Sequence, residues 1–357
     1  MSKTKFPTAW SGPLFAVASA VLFGASTPLA KLLLGKGADP WLLAGLLYLG
    51  SGIGLTAFYF IRMAFSATVA EAPLRRADAP WLALVVLFGG VAGPLLLMLG
   101  LARTSASSAA LLLNLEGLAT MGIAWAVFKE NFDRRILLGA ASILAGAIIL
   151  SWNGGPGSVG WGALLIAGAS LAWGIDNNLT RKLSGSDPVQ IAGLKGIVAG
   201  VVNSALAFSA GAHLPQTPSL GGTVLLGFLG YGVSLVLFVL ALRHLGSART
   251  GAYFSTAPFI GAVLAIILIG DPVTASLIAA GLLMAVGLYL HIAERHDHDH
   301  FHEALEHVHG HTHDEHHQHS HQASDPSGEP HTHLHRHSPL THKHPHYPDI
   351  HHRHGHS

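Results

Sequence analysis

Glu116 is the residue whose position most invites chemistry. It stands thirteen positions after Arg103 and thirteen before Lys129, inside the apolar run 106–127. If that stretch is one helix, each end lies roughly 20 Å away at 1.5 Å per residue. No basic residue is obviously at the same depth, so the surroundings favour the neutral acid. A carboxyl that releases and regains a proton as water reaches it suits proton coupling or cation binding. The bland alternative is a protonated acid hydrogen-bonded between helices. Asn114 lies about 200° around a regular helix from Glu116, so the two do not share a face, and Asn114 reads more simply as an interhelical hydrogen-bonding residue.

Asp176, Asn177 and Asn178 close a second apolar run just before Arg181. Lys195 lies about seven residues into the next one, which starts from the same side. Both charges are then ~7–10 Å below that surface, and an Asp176–Lys195 pair is expected. It would fix helix register or take part in gating or solute binding. Asn203, eight residues on from Lys195, falls on roughly the same helix face.

A third cluster is the tail. All His except His213, His244 and His291 fall between His296 and His356. His298, His300, His309, His311, His313, His333 and His335 are typical of its alternating pattern. Alternating His with Ser, Pro and Asp cannot bury a core, so residues 294–357 are expected to be disordered. Imidazole binds Zn²⁺, Ni²⁺ and Co²⁺, so diffuse metal binding is expected there without one fixed ligand set. A pH response and an expression tag compete with that reading. No cofactor is required by anything else in the chain, and cysteine is absent.

The elements that must position these groups are membrane helices. The chain is 50% hydrophobic and 11% charged, with mean hydropathy +0.46. Soluble domains carry about 25% charged residues. Runs of ~20 apolar residues match a ~30 Å hydrocarbon core. Ten spans are read, at roughly 11–33, 40–61, 81–101, 106–128, 135–152, 159–179, 188–209, 221–242, 248–269 and 274–293. Trp10, Trp41, Trp81, Trp152 and Trp161 fall at their ends, where indole prefers to lie. Pro28, Pro94 and Pro258 fall within spans and are expected to kink them.

Orientation follows from Lys and Arg. One side holds Lys3, Lys5, Arg62, Arg75, Arg76, Lys129, Arg134, Arg135, Arg181, Lys182, Arg243, Arg249 and Arg295, the other only Lys31, Lys36 and Arg103. Both termini are therefore expected in the cytoplasm of a cell (inner) membrane. The body also repeats. Phe23-Gly24 and Lys31 match Trp173-Gly174 and Arg181 at an offset of 150. Leu101, Glu130 and Gly146 match Leu242, Asp271 and Gly287 at an offset of 141. Five spans per half make the halves inverted, a recurring plan in secondary transporters. The expected division is 1–152, 153–293 and the tail 294–357.

The body resembles the EamA family of the drug/metabolite transporter superfamily. The residues that carry the likeness are Phe23-Gly24-Ala25-Ser26-Thr27-Pro28, its twin Trp173-Gly174, Leu101–Ala110, Leu115-Glu116-Gly117 and Phe128-Lys129-Glu130. The family often has Pro after the Leu-Glu pair; Gly117 stands there, and Pro258 holds the equivalent place in the second half. The resemblance covers residues 10–293 and implies ten helices around a central cavity that opens alternately to each side. The expected class is an all-α membrane protein, an exporter of a small polar or charged solute with the lipid bilayer as its medium. Proton coupling is one role open to it, and the sequence does not name the coupling ion. Divalent-metal (Ni/Co/Zn) efflux and a metal-responsive membrane protein are the alternatives. No nucleophile–base pair or phosphate loop suggests an enzyme, and nothing suggests a nucleic-acid partner or fixes an oligomeric state.

Overall fold

The computed structural model describes residues 11–65, 74–128, 134–152, 160–180, 183, 186–215, 217–292 and, in the tail, 299–302, 306–311, 331–336 and 340–343. The body is all helical. Its first half runs α1 (Ser11–Gly35), α2 (Pro40–Phe65), α3 (Ala79–Val85), α4 (Gly93–Ala102), α5 (Ala106–Leu112), α6 (Leu115–Phe128) and α7 (Arg134–Ser151). The second runs α8 (Trp161–Thr180), α9 (Pro188–Ser209), α10 (Thr217–Leu226), α11 (Ser234–Phe254), α12 (Ala257–Ile269) and α13 (Ala275–Ile292).

Among the described residues, seven helical stretches have the length and apolar character to cross a membrane, and Ala257–Ile269 and Ala275–His291 are shorter apolar helices. With α8, these fill the ten positions read from the sequence. Large apolar side chains point out of the bundle: Ile267 is 69% exposed and Leu282 63%. Such a surface is stable against lipid and not against water. Trp152 and Trp161 remain exposed at helix ends.

The packing is close because small residues meet across helices. α2 crosses α9, where a Cβ on Gly52 would sit 2.3 Å from the Ile197 backbone nitrogen and one on Gly196 2.5 Å from that of Gly52. α7 crosses α13 through Gly139 and Gly287. The α1–α11 contact has its counterpart in α8–α4, and α1–α12 has its counterpart in α8–α6. Asp39 and Asp187 each accept a backbone N–H of the helix that follows, from Leu42 and Val189. Each precedes a proline that starts the helix, Pro40 and Pro188, an arrangement suited to helix entry.

Three expectations about helix continuity are corrected. The span 106–128 is not one helix: it breaks at Leu113–Asn114, between α5 and α6. The expected loop near residues 243–247 is helical within α11, and the chain turns instead at Ser255–Thr256. Pro258 explains that position. It has no N–H to give to the preceding turn, so it stands in the first turn of a new helix, α12. Pro28, by contrast, lies inside an unbroken α1.

Pro94 acts with a π-helical stretch, Val86–Ala92. The Gly93 N–H bonds to the Phe88 carbonyl, and Pro94 has no N–H. The Gly89 carbonyl is left without a helical donor, and Gly90 loses its α-helical one. A second π-helical stretch, Gly227–Val233, lies 141 residues on, with Ser234 N–H bonded to the Leu229 carbonyl in the same way.

In the tail, β1 (Asp299–His302) pairs antiparallel with β4 (Leu340–Lys343), and β2 (Glu306–His311) with β3 (His331–Arg336). Their every-second-residue His pattern has the period of a strand.

Candidate functional site

The site is built where α6, α8, α9 and the π-helical stretch 86–92 converge. Asp176 on α8 and Lys195 on α9 are 5% and 7% exposed. Lys195 Nζ donates to Asp176 Oδ2 at 2.5 Å. The Thr180 hydroxyl, one turn along α8, donates to Asp176 Oδ1 at 3.1 Å. The expected pair is therefore formed and buried, with a third group on its free oxygen. Gly89 makes room for it: a Cβ there would sit 2.0 Å from Asp176 Oδ2 and 2.6 Å from Lys195 Nζ.

The freed carbonyls of the π-helical stretch are the other half of the cluster. Gly89 O accepts from the Tyr48 hydroxyl at 2.7 Å and from Trp173 Nε1 at 3.0 Å. Gly90 O accepts from Asn203 Nδ2 at 3.0 Å. Asn203 Oδ1 in turn accepts from Trp41 Nε1 at 3.4 Å. Buried polar groups are costly unless paired, and here three helices supply the donors. In the second half the equivalent carbonyl, Gly230 O, is met by the Ser234 hydroxyl.

Glu116 lies in the first turn of α6 and is half-buried. The break before α6 places it at the positive end of that half-helix. Its Oε1 accepts from Asn177 Nδ2 at 2.9 Å. Asn177, which is exposed, also donates to Thr120 Oγ1 at 3.2 Å. Asn178 Nδ2 bridges the Thr120 and Gly174 carbonyls at 3.0 and 2.8 Å. Glu116 thus faces α8 through Asn177, the residue that follows Asp176 of the ion pair. An exposed amide beside a half-buried carboxyl can release that carboxyl to a solute, a proton or water.

Of the expected site residues, Glu116, Asp176, Asn177 and Lys195 come together. Asn114 does not. Its Nδ2 donates to the Leu111 carbonyl at 2.8 Å and meets Met284 Sδ on α13 at 3.7 Å. His298 and His313 lie outside the described residues, and His300, His309, His311, His333 and His335 are placed only by backbone register. Among the described residues, no group of three or more His, Asp or Glu is arranged to hold a metal ion.

Sequence reasoning named Trp173 only as part of a repeated motif, and it missed Tyr48 and the pairing of Arg62 with Asp187. One signal was available for the last: Asp39-Pro40 and Asp187-Pro188 repeat at an offset of 148. The same offset sets Leu47 against Lys195, and the offset of 150 sets Ser26 against Asp176. The charge pair therefore has no counterpart at the matching places of the first half.

Comparison with known proteins agrees with this architecture. The EamA-like transporter family matches residues 10–152 and again 160–293. The chain belongs to that family. Among curated relatives, an uncharacterized transporter of Methanothermobacter thermautotrophicus is 28% identical over 78% of this chain and 85% of its own length. The uncharacterized inner membrane transporter YedA of Escherichia coli K12 is 25% identical over 44% of this chain and 55% of its own length. A solved crystal structure, 19% identical, superposes with a TM-score of 0.58 over 78% of this chain and 95% of that one, which shows a shared fold. This EamA chain is thus a multi-pass membrane transporter and not an enzyme.

Proposed function

We propose that the chain is a secondary exporter of a small polar or charged solute, coupled to protons through Glu116. The observation that carries this reading is the Glu116–Asn177 contact at the α5–α6 break, beside the Asp176–Lys195 pair. Broken helices and midplane polar groups are where secondary transporters bind solute and coupling ion. Residues 1–152 and 153–293 act as two inverted five-span halves. The shared 141-residue spacing of the π-helical stretches and the repeated Asp-Pro helix starts support that division. The test is flux from proteoliposomes under an imposed pH gradient, across amino acids, amines and divalent cations. Gradient-driven flux of at least one solute class is expected; a protein that moves none of them under any gradient contradicts the reading.

The orientation that fits the Lys and Arg distribution places both termini in the cytoplasm. Reporter fusions after residue 293 should report cytoplasm, and fusions within 212–215 the opposite side. A periplasmic signal from the first would reverse the assignment.

A metal-binding role for the tail is a second reading, and the β2–β3 register favours it. His307, His309 and His311 stand opposite His335, His333 and His331. The pairing sets two His-rich segments side by side, and His is a ligand type that suits Zn²⁺, Ni²⁺ or Co²⁺. Changing His309, His311, His331 and His333 to Gln in the full-length protein should weaken Ni²⁺ binding more than the same change at His351, His352, His354 and His356. Equal losses would mean that the tail binds metal only diffusely.

A further inference from the structure

The two ends of the bundle are not alike. The offset of 141 gives each residue of the second half after the π-helical stretch a counterpart in the first. Ala110 on α5 corresponds to Gly251 on α11, and Gly261 on α12 to Thr120 on α6. At the end that carries Lys31 and Asp271, α5 packs on α12, and a Cβ on Gly261 would lie 3.0 Å from the Ala110 Cβ. At the end that carries Arg62, the counterpart contact is missing among the described residues. A Cβ on Gly251 would meet nothing within 4 Å, and the same is true at Gly117 and Gly122 along α6. Glu116, Thr120 and the exposed Asn177 line this uncovered side.

The covered end is clamped from both sides. Lys31 at the end of α1 donates from Nζ to the Leu101 and Thr104 carbonyls at 2.6 and 2.8 Å. Leu101 lies in the last turn of α4, whose carbonyls lack helical donors, and Thr104 lies just beyond the end of that helix. Asp271, just after α12, accepts from the Ser107 N–H at the start of α5 at 2.8 Å. Gly270, at φ +76°, makes the left-handed turn that ends α12 immediately before Asp271. The connection from α4 to α5 is thus held by a cation on its carbonyl side and an anion on its amide side, each with the sign that a helix end prefers. Neither residue belongs to the polar cluster at Glu116.

We propose that the structure is the state closed at the Lys31 end and open at the Arg62 end, and that Lys31 and Asp271 are the latch of the closed end. In the alternate state the latch releases, Ala110 leaves Gly261, and Thr120 closes onto Gly251. The proposal rests on the carrier reading above, and its cross-linking readout does not depend on finding the solute.

The chain has no cysteine, so engineered pairs report without background. Ala110→Cys with Gly261→Cys should form a disulfide rapidly in the resting protein. Thr120→Cys with Gly251→Cys should form one slowly. Rapid bridging of the second pair and refusal of the first would overturn the assignment of the state. The latch is tested separately, on the single variant Ala110→Cys, by labelling with a membrane-impermeant maleimide from the Lys31 side. Adding Lys31→Met or Asp271→Asn should raise the labelling rate several-fold, and Lys31→Arg should restore the slow rate. Unchanged labelling in a variant whose Ala110→Cys/Gly261→Cys bridge still forms would overturn the latch.

Discussion

Replacing Glu116 by Gln is expected to reduce coupled net flux at least tenfold, about 1.4 kcal/mol in the transport barrier, while leaving the protein folded. The amide keeps the size of the side chain, and its oxygen still accepts from Asn177 Nδ2, as Glu116 Oε1 does at 2.9 Å. What the amide loses is the proton and the negative charge. Glu116→Asp keeps the charge but draws it back from Asn177, so partial flux with a shifted pH profile is expected. If the carboxyl served only as a hydrogen-bonding group, Gln would replace it with little loss. Initial rates of wild type, Gln and Asp variants across pH separate these outcomes. A Gln variant with wild-type rate and pH dependence would remove Glu116 from the coupling role.

The second large effect concerns Asp176 and Lys195. Asp176→Asn leaves a buried ammonium without its carboxylate, and Lys195→Met leaves a buried carboxylate with the Thr180 hydroxyl alone. Stranding one charge of a buried pair costs about 3–5 kcal/mol. The double change strands neither, so it should be the more stable of the three variants. Thermal unfolding in detergent, with flux measured on the same preparations, tests this. Losses that simply add would mean that the two groups are not energetically coupled.

The sequence made the membrane class, the ten segments and the central charges legible because each rests on a local pattern. Apolar run length gives the spans, and charge at depth marks Glu116, Asp176 and Lys195. Matching depth from one surface was enough to expect the ion pair. The break before Glu116 was not read, because 106–128 contains no proline, although Asn114 and Glu116 interrupt the apolar run at that place. The turn at Ser255–Thr256 was legible in principle from Pro258, but the run of polar residues near Arg243 suggested a loop about three turns earlier. The roles of Tyr48 and Trp173 were hidden for another reason. They answer the Gly89 carbonyl, which is free only because the helix shifts to π geometry just ahead of Pro94. That kind of partnership is made by tertiary packing, and no spacing along one helix announces it. Asn114 shows the converse: its type drew attention, and its position against Met284 gives it a packing role.

The charge pair stands on one side of the internal repeat. The positions that match Asp176 and Lys195 in the first half are Ser26 and Leu47. Glu116 approaches that pair through Asn177.

Solute and proton are expected to share the edge formed by Glu116 and Asn177. The most direct test is to load proteoliposomes with a pH-sensitive dye and impose a solute gradient with no initial pH difference. The account predicts a solute-dependent change of luminal pH in the wild-type protein, abolished by Glu116→Gln. Solute flux of normal rate with no proton movement, in wild type and variant alike, would contradict it.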